Sequence, residues 1–148
     1  MRAVIQRVIR SKVKIDGQEE DRGTGPGLVI FLAVGKEDSL EDARYLADKI
    51  SVLRLFDDKS GKMNLSIRDI QGEALIISQF TLYADCTRGR RPDFTNAARP
   101  DHAERLYEEF VGRMRLCLAS VKTGCFGARM LVDIANDGPV TCILDTKR

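Results

Sequence analysis

Ser78, Gln79 and Thr81 stand together where an apolar stem, Ala74-Leu75-Ile76-Ile77, gives way to polar side chains around Phe80. Polar groups at the end of a core strand are held rigidly at the mouth of a cleft, which is where chemistry is most easily arranged. The same pattern would also serve a strand that simply emerges into solvent. A nucleophilic triad fails on inventory: the one histidine, His102, falls in the first turn of a helical stretch and suits a cap or surface position better than a base. Ser78 or Thr81 could attack a carbonyl, but neither has an activating partner in the sequence. What remains is a strand end with backbone N–H groups and the Gln79 amide, and those are the components of an oxyanion site. Such a set is better suited to polarising a labile ester than to attacking a stable amide.

Metal and redox chemistry find little support. Cys86, Cys117, Cys125 and Cys142 form no C-x-x-C pair, so ordinary zinc spacing and a disulfide framework are both disfavoured. Asp57 and Asp58 lack EF-hand spacing and read as a surface turn. The glycines at 23, 25 and 27 lead into a strand with no Gly-Lys-Ser/Thr, so they are not a phosphate loop. No metal and no cofactor is expected.

The elements that must position Ser78–Thr81 follow from periodicity. The 148 residues suit a single domain, 1–148, of ordinary globular composition, 43% hydrophobic and 31% charged. Residues 2–9 and 12–16 read as two strands, with Arg7 wanting a partner inside the first. The alternatives for Arg7 are a surface position or a buried guanidinium bonded to backbone carbonyls. Residues 28–34 are an uninterrupted apolar run, predicted to be covered on both faces. Ser39 with Asp42 three residues on predicts a helix start, and Leu40, Ala43, Leu46, Ala47, Ile50 and Leu53 its buried stripe. Strands are predicted over 63–67 and 74–82, a long basic loop over 84–100, and a second helix over 101–118.

Near the C-terminus, two β-branched-rich runs, 130–135 and 140–144, flank Asn136-Asp137-Gly138-Pro139-Val140-Thr141. They read as two strands joined by a tight turn. Pro139 is awkward for that reading, because it removes a donor where the returning strand should begin to pair. About seven strands with two helices predict a mixed α/β chain of α+β character.

Charge is uneven beneath the net +2. The first 14 residues carry Arg2, Arg7, Arg10, Lys12 and Lys14 and no acid, whereas Asp16, Glu19, Glu20 and Asp21 form an acidic stretch. Arg88, Arg90, Arg91 and Arg99 stand against Asp93 alone. Patches of one sign suit a polyanionic partner; solvated loops on a mixed surface explain them as well. No apolar run approaches the ~20 residues needed to span a bilayer, and the first residues enter a strand pattern with no secretory apolar segment, so a cytoplasmic location is expected.

At Ser78-Gln79-Phe80-Thr81-Leu82, taken with the 136–141 stretch, the sequence resembles the D-aminoacyl-tRNA deacylases of the bacterial and eukaryotic type. The likeness extends from Arg2-Ala3-Val4-Ile5-Gln6-Arg7-Val8 through Gly61-Lys62-Met63-Asn64, the 89–94 loop and Thr123-Gly124-Cys125-Phe126-Gly127-Ala128 to the last strand. Asp93 departs from it, standing where the family usually has serine. The resemblance implies barrel-like packed sheets and a homodimer that hydrolyses the ester joining a D-amino acid to the 3′-terminal adenosine of tRNA. It implies a cis Gly138-Pro139 bond whose carbonyls enter the partner's pocket and exclude L-amino acids, with Arg7 orienting the motif. A filter that works by excluding L side chains is expected to accept achiral glycine too, as glycyl-tRNA mischarged on tRNA(Ala). Ser78, Gln79, Phe80 and Thr81 would line the site, the Phe80 and Thr81 amides near the oxyanion, while Phe126 and Met130 would flank the adenosine. The ribose 2′-OH would assist in place of a protein nucleophile; Thr81 as nucleophile is the older alternative. Arg88, Arg90, Arg91 and Arg99 are candidates for the tRNA backbone. The rival from another class is a non-catalytic dimeric RNA-binding module, and a general small-ester hydrolase is a third reading.

Overall fold

The computed structural model describes residues 1–18 and 21–147. In chain order these form β1 (Arg2–Ile15), β2 (Asp21–Thr24), β3 (Gly27–Ala33), α1 (Leu40–Val52), β4 (Phe56–Asp57), β5 (Met63–Leu65), β6 (Glu73–Ser78), α2 (Pro100–Cys117), β7 (Val121–Thr123) and β8 (Met130–Asp145). Of the acidic stretch, Glu19 and Glu20 lie outside the described residues.

The main sheet runs β2-β1-β3-β6-β7, with β8 on the other edge of β1. β1 pairs antiparallel with β2, β3 and β8, while β3–β6 and β6–β7 are parallel. β2 and β3 follow one another along the same edge of β1, and Arg22 of β2 donates to the Thr123 carbonyl at 2.9 Å while Lys122 of β7 donates to the Gly23 carbonyl. These contacts draw β7 back toward β2 and curl the sheet into a nearly closed, barrel-like shape. Its apolar side chains divide by the period of two. Leu28, Ile30, Leu32, Ala74 and Ile76 face a core shared with α1 and α2. Val29, Leu75 and Ile77 point the other way, joining Val8, Val13 and Ile15 inside the curl. Both faces of β3 and β6 are thus covered, which is why these strands read as unbroken apolar runs.

The helix start is as predicted: Ser39 and Asp42 form a reciprocal capping box, and Ala43, Leu46, Ala47 and Ile50 are buried. Three strand predictions are corrected. Residues 2–9 and 12–16 are one strand of 14 residues, not two. Ser11, between the two expected strands, is buried and bonded to the Thr24 hydroxyl at 2.5 Å, so the ladder runs on through it. The strand expected over 74–82 stops at Ser78, and Phe80–Tyr83 is a turn of 3₁₀ helix. Its neighbour β3 ends at Ala33; after the Gln79 N–H reaches the Leu32 carbonyl at 2.8 Å, no ladder remains to extend.

The third correction concerns the C-terminus. Residues 130–135 and 140–144 are not a hairpin: both belong to β8, and both pair with β1. Gln6 pairs with Thr141 and Val8 with Asn136, so residues 137–140 bulge out opposite Arg7 alone. Pro139 sits in that bulge, where no ladder bond is asked of it. The Gly138-Pro139 bond is cis, and Gly138 has φ +116°, a left-handed value suited to glycine.

Candidate active site

Ser78 closes β6, and Gln79 turns the chain out of the sheet into the 3₁₀ turn. Within that turn the Leu82 N–H reaches the Gln79 carbonyl at 3.2 Å and the Ala84 N–H the Thr81 carbonyl at 3.0 Å. The first two amides, those of Phe80 and Thr81, precede this ladder and, among the described residues, have no acceptor. The turn is braced from outside. Arg2 donates to the Leu82 carbonyl at 2.8 Å and bonds Asp145 through two nitrogens. Tyr83, whose hydroxyl reaches Asp38 at 3.4 Å, has its phenol pushed above the ordinary range by burial and by the neighbouring Asp38 and Asp145 carboxylates. The Gln79 amide donates to the Thr81 hydroxyl, so these two side chains are mutually engaged.

Beside the strand end lies a cavity of about 610 Å³. Ser78, Gln79 and Phe80 line one wall, and Phe126 and Met130 another. Met130 is held close because residue 124 is glycine: a Cβ there would collide with the Met130 sulfur. The Cys125 N–H also points at that sulfur, 3.4 Å away. Phe126 packs against Tyr107 of α2, ring centroids 5.8 Å apart. The Tyr107 hydroxyl donates to the Ile76 carbonyl at 3.0 Å, and burial pushes its phenol up to about 12.

Sequence reasoning missed two parts of this wall. Tyr107 falls inside the predicted helix over 101–118, with no chemical signal of its own. Phe94, whose ring meets Phe80 edge-on at 5.1 Å, was buried in a stretch notable for its arginines. A second, open groove of about 790 Å³ runs along α1 and α2, where Arg44 pairs with Glu109 and Arg113 with Asp48; none of the candidate site residues lines it. Among the described residues no cluster of three His, Cys, Asp or Glu is placed to hold a metal ion.

Arg7, Gly138 and Pro139 make a second locus that does not line this cavity. Arg7 is buried, 7% exposed, the sharper of its two alternatives. It donates to the Leu55 carbonyl at 2.9 Å and the Asp137 carbonyl at 3.4 Å, and lies 3.1 Å from the Asp137 and 3.4 Å from the Asp57 carboxylate. Asn136 closes the base of the bulge, its amide donating to the carbonyls of Arg7 at 2.8 Å and Val140 at 3.0 Å. Gly138 and Pro139 are exposed at its tip. Arg88, Arg90, Arg91 and Arg99 are likewise exposed and outside the cavity.

The profile of the family described as D-Tyr-tRNA(Tyr) deacylase matches residues 4–145. The chain belongs to that family. Among its relatives, a D-aminoacyl-tRNA deacylase of Thermosipho africanus is 55% identical over all of this chain and 99% of its own length. One of Clostridium perfringens is 52% identical over the same shares. A solved structure titled c-Myc DNA Unwinding Element Binding Protein superposes with a TM-score of 0.91 at 39% identity, covering 99% of each chain. Another, titled a probable eukaryotic D-amino acid tRNA deacylase, has a TM-score of 0.87 and covers 97% of each; at 16% identity it speaks for the fold alone.

Proposed function

We propose that this family member hydrolyses the ester of D-aminoacyl-tRNA, releasing the free D-amino acid and tRNA. The observation that carries the reading is the cavity wall at Ser78, Gln79 and Phe80, where a strand end leaves two adjacent amides unspent beside a space flanked by Phe126 and Met130. In this mechanism the terminal adenosine lies between Phe126 and Met130, and the ester carbonyl oxygen accepts from the Phe80 and Thr81 N–H groups. Water adds to the carbonyl carbon, negative charge gathers on that oxygen, and the acyl–ribose bond breaks with the ribose oxygen taking a proton. One such donor is worth ~2.7–4 kcal/mol of barrier. The neighbouring ribose 2′-OH, rather than a protein nucleophile, assists. The Thr81 hydroxyl has the Gln79 amide as its partner, and among the described residues no base is bonded to it.

Selection by handedness falls to Gly138 and Pro139 of a second copy, held by Arg7, whose carbonyls would meet an L side chain. The exposed bulge and the cavity lie apart within one chain, which suits a site completed by dimerisation. β8 supports that arrangement: among the described residues it pairs only with β1, leaving a long open edge that carries exposed Leu131 and Ile143. Exclusion by clash discriminates more strongly than recognition of one apolar side chain, worth ~1–3 kcal/mol, and so accepts many D-amino acids and achiral glycine. Such a substrate places the work in the cytoplasm, and no helix is long and apolar enough to cross a membrane.

Matched D-Tyr-, L-Tyr- and Gly-tRNA decide the matter: rapid release of D-Tyr and Gly with L-Tyr retained is expected. Equal D and L rates would refute the filter, and inert Gly-tRNA would refute exclusion as its basis. A non-catalytic nucleic-acid-binding module is the second reading, favoured by the exposed Arg88, Arg90 and Arg91; salt-sensitive binding without ester turnover would establish it.

A further inference from the structure

We infer that residues 85–93 form a preformed clamp for the phosphates of a single-stranded RNA 3′ end, immediately 5′ of the nucleoside seated in the cavity. The inference rests on the ester-hydrolysis reading above and names how that substrate is gripped outside the pocket.

The loop is built before any ligand arrives. Its neck is closed by a pair of backbone bonds, Asp85 N–H to the Asp93 carbonyl at 2.7 Å and Asp93 N–H to the Asp85 carbonyl at 2.9 Å. Each neck carboxylate turns to its own side: Asp85 accepts from the Thr87 amide and hydroxyl, and Asp93 from those of Thr95. Neither acid is therefore spent on the loop's arginines. At the tip, Gly89 has φ +70°, the left-handed value that folds the chain back.

Between the two aspartates the sequence is Cys86-Thr87-Arg88-Gly89-Arg90-Arg91-Pro92, three cations and no acid. Among the described residues, the side chains of Arg88, Arg90 and Arg91 have no hydrogen-bond or ion-pair partner. Arg2, Arg7 and Arg113, by contrast, are bound to carboxylates. Guanidinium groups left free on a pinned loop are suited to bidentate contact with phosphate.

The loop is also tied to the cavity. Its return limb is fixed to the end of β3, with the Ala98 N–H on the Val34 carbonyl at 2.9 Å and Ala97 bridged to Gly35. This sets Phe94 against Phe80 in the cavity wall. Arg91 is three residues from Phe94, so its Cα lies at most ~11 Å away along extended chain. This puts the loop beside the cavity, within reach of the phosphates of a polynucleotide whose last nucleoside fills it.

The test compares wild type with the Arg88→Gln/Arg90→Gln/Arg91→Gln variant on D-tyrosyl-tRNA and on D-tyrosyl-adenosine, which has no phosphate. Each is measured as kcat/KM across 50–200 mM salt. At ~0.7 per single-strand phosphate contact, losing two or three contacts reduces the variant's log–log salt slope on the tRNA substrate by ~1.4–2.1. That corresponds to ~7- to ~18-fold less salt sensitivity over this range. The adenosine ester shows no matching change. An unchanged slope on the tRNA overturns the clamp, and so does an equal loss on both substrates, which would mean that the loop acts by shaping the cavity through Phe94. Binding of an uncharged single-stranded RNA ending in adenosine is read beside turnover. The same slope difference must appear there, and this judges the clamp separately from the hydrolysis reading.

Discussion

Thr81 is the residue on which the mechanism divides. Its hydroxyl accepts from the Gln79 amide and, among the described residues, bonds to no histidine or carboxylate, while its amide belongs to the unspent pair at the start of the 3₁₀ turn. A role carried by the amide survives loss of the side chain. Thr81→Ala is therefore expected to stay within about tenfold of wild type in single-turnover deacylation, a cost below ~1.4 kcal/mol. A fall of several orders of magnitude would return the hydroxyl to the role of nucleophile. Arg7 poses the opposite case, since its guanidinium is its function. Removing it strands the Leu55 carbonyl and leaves Asp57 and Asp137 without their shared cation. Arg7→Met is expected to cost about 2–3 kcal/mol in urea unfolding, in the range of hydrogen bonds to a charged group, and to lower activity by loosening the bulge.

At the scale of elements, the cavity is held by contacts between pieces distant in sequence. The Ile76 carbonyl accepts from both the Tyr107 hydroxyl at 3.0 Å and the Gly124 N–H at 3.1 Å, joining β6, α2 and the segment after β7 at one atom. Tyr107→Phe keeps the ring against Phe126 and leaves that carbonyl one donor. A stability loss of ~1 kcal/mol with near-normal turnover is the expected outcome by thermal melting and kinetics. Gly124→Ala strikes the other wall, because the new methyl must displace the Met130 side chain. That substitution is expected to raise KM for the adenosine ester more than it lowers kcat. Equal effects on both would mean that Met130 does not touch the substrate.

For the whole molecule, the open edge of β8 and the acid limb of stability are the testable features. Ile143 is 59% exposed on β8; Ile143→Glu places charge where a second copy would pack, so a monomer in sedimentation with lost activity is expected. Asp48 of α1 and Arg113 of α2 join the two helices through two nitrogen–oxygen contacts, 2.6 and 2.8 Å. The guanidinium holds the Asp48 carboxyl below its ordinary value. A depressed carboxyl pKa contributes stability that is complete above the unfolded value, ~3.9, and drains away as pH falls below it. Tm should hold between pH 7 and about 5 and decline toward pH 3. In Asp48→Asn the decline is shallower and starts from a lower neutral value.

The sequence by itself determined whatever is local. The Ser39 capping box, the buried stripe of α1 and the doubly buried run of β3 are set by neighbours a few residues apart, and such spacings are visible in a string. The apolar stem ending in polar residues at Ser78 and Gln79 was legible for the same reason, and the structure places both beside the cavity. What the string lacked was the identity of partners. Whether residues 130–135 and 140–144 pair with each other or with a third strand depends on β1 being 14 residues long, and that in turn depends on Thr24 satisfying Ser11. The end of β6 was decided by the end of β3, and the placing of Phe94 by a backbone bridge to Gly35. Ladder hydrogen bonds and side-chain contacts between distant segments carry no sequence period. Only the folded chain could show that the bulge held by Arg7 and the cavity beside Phe80 are two separate places.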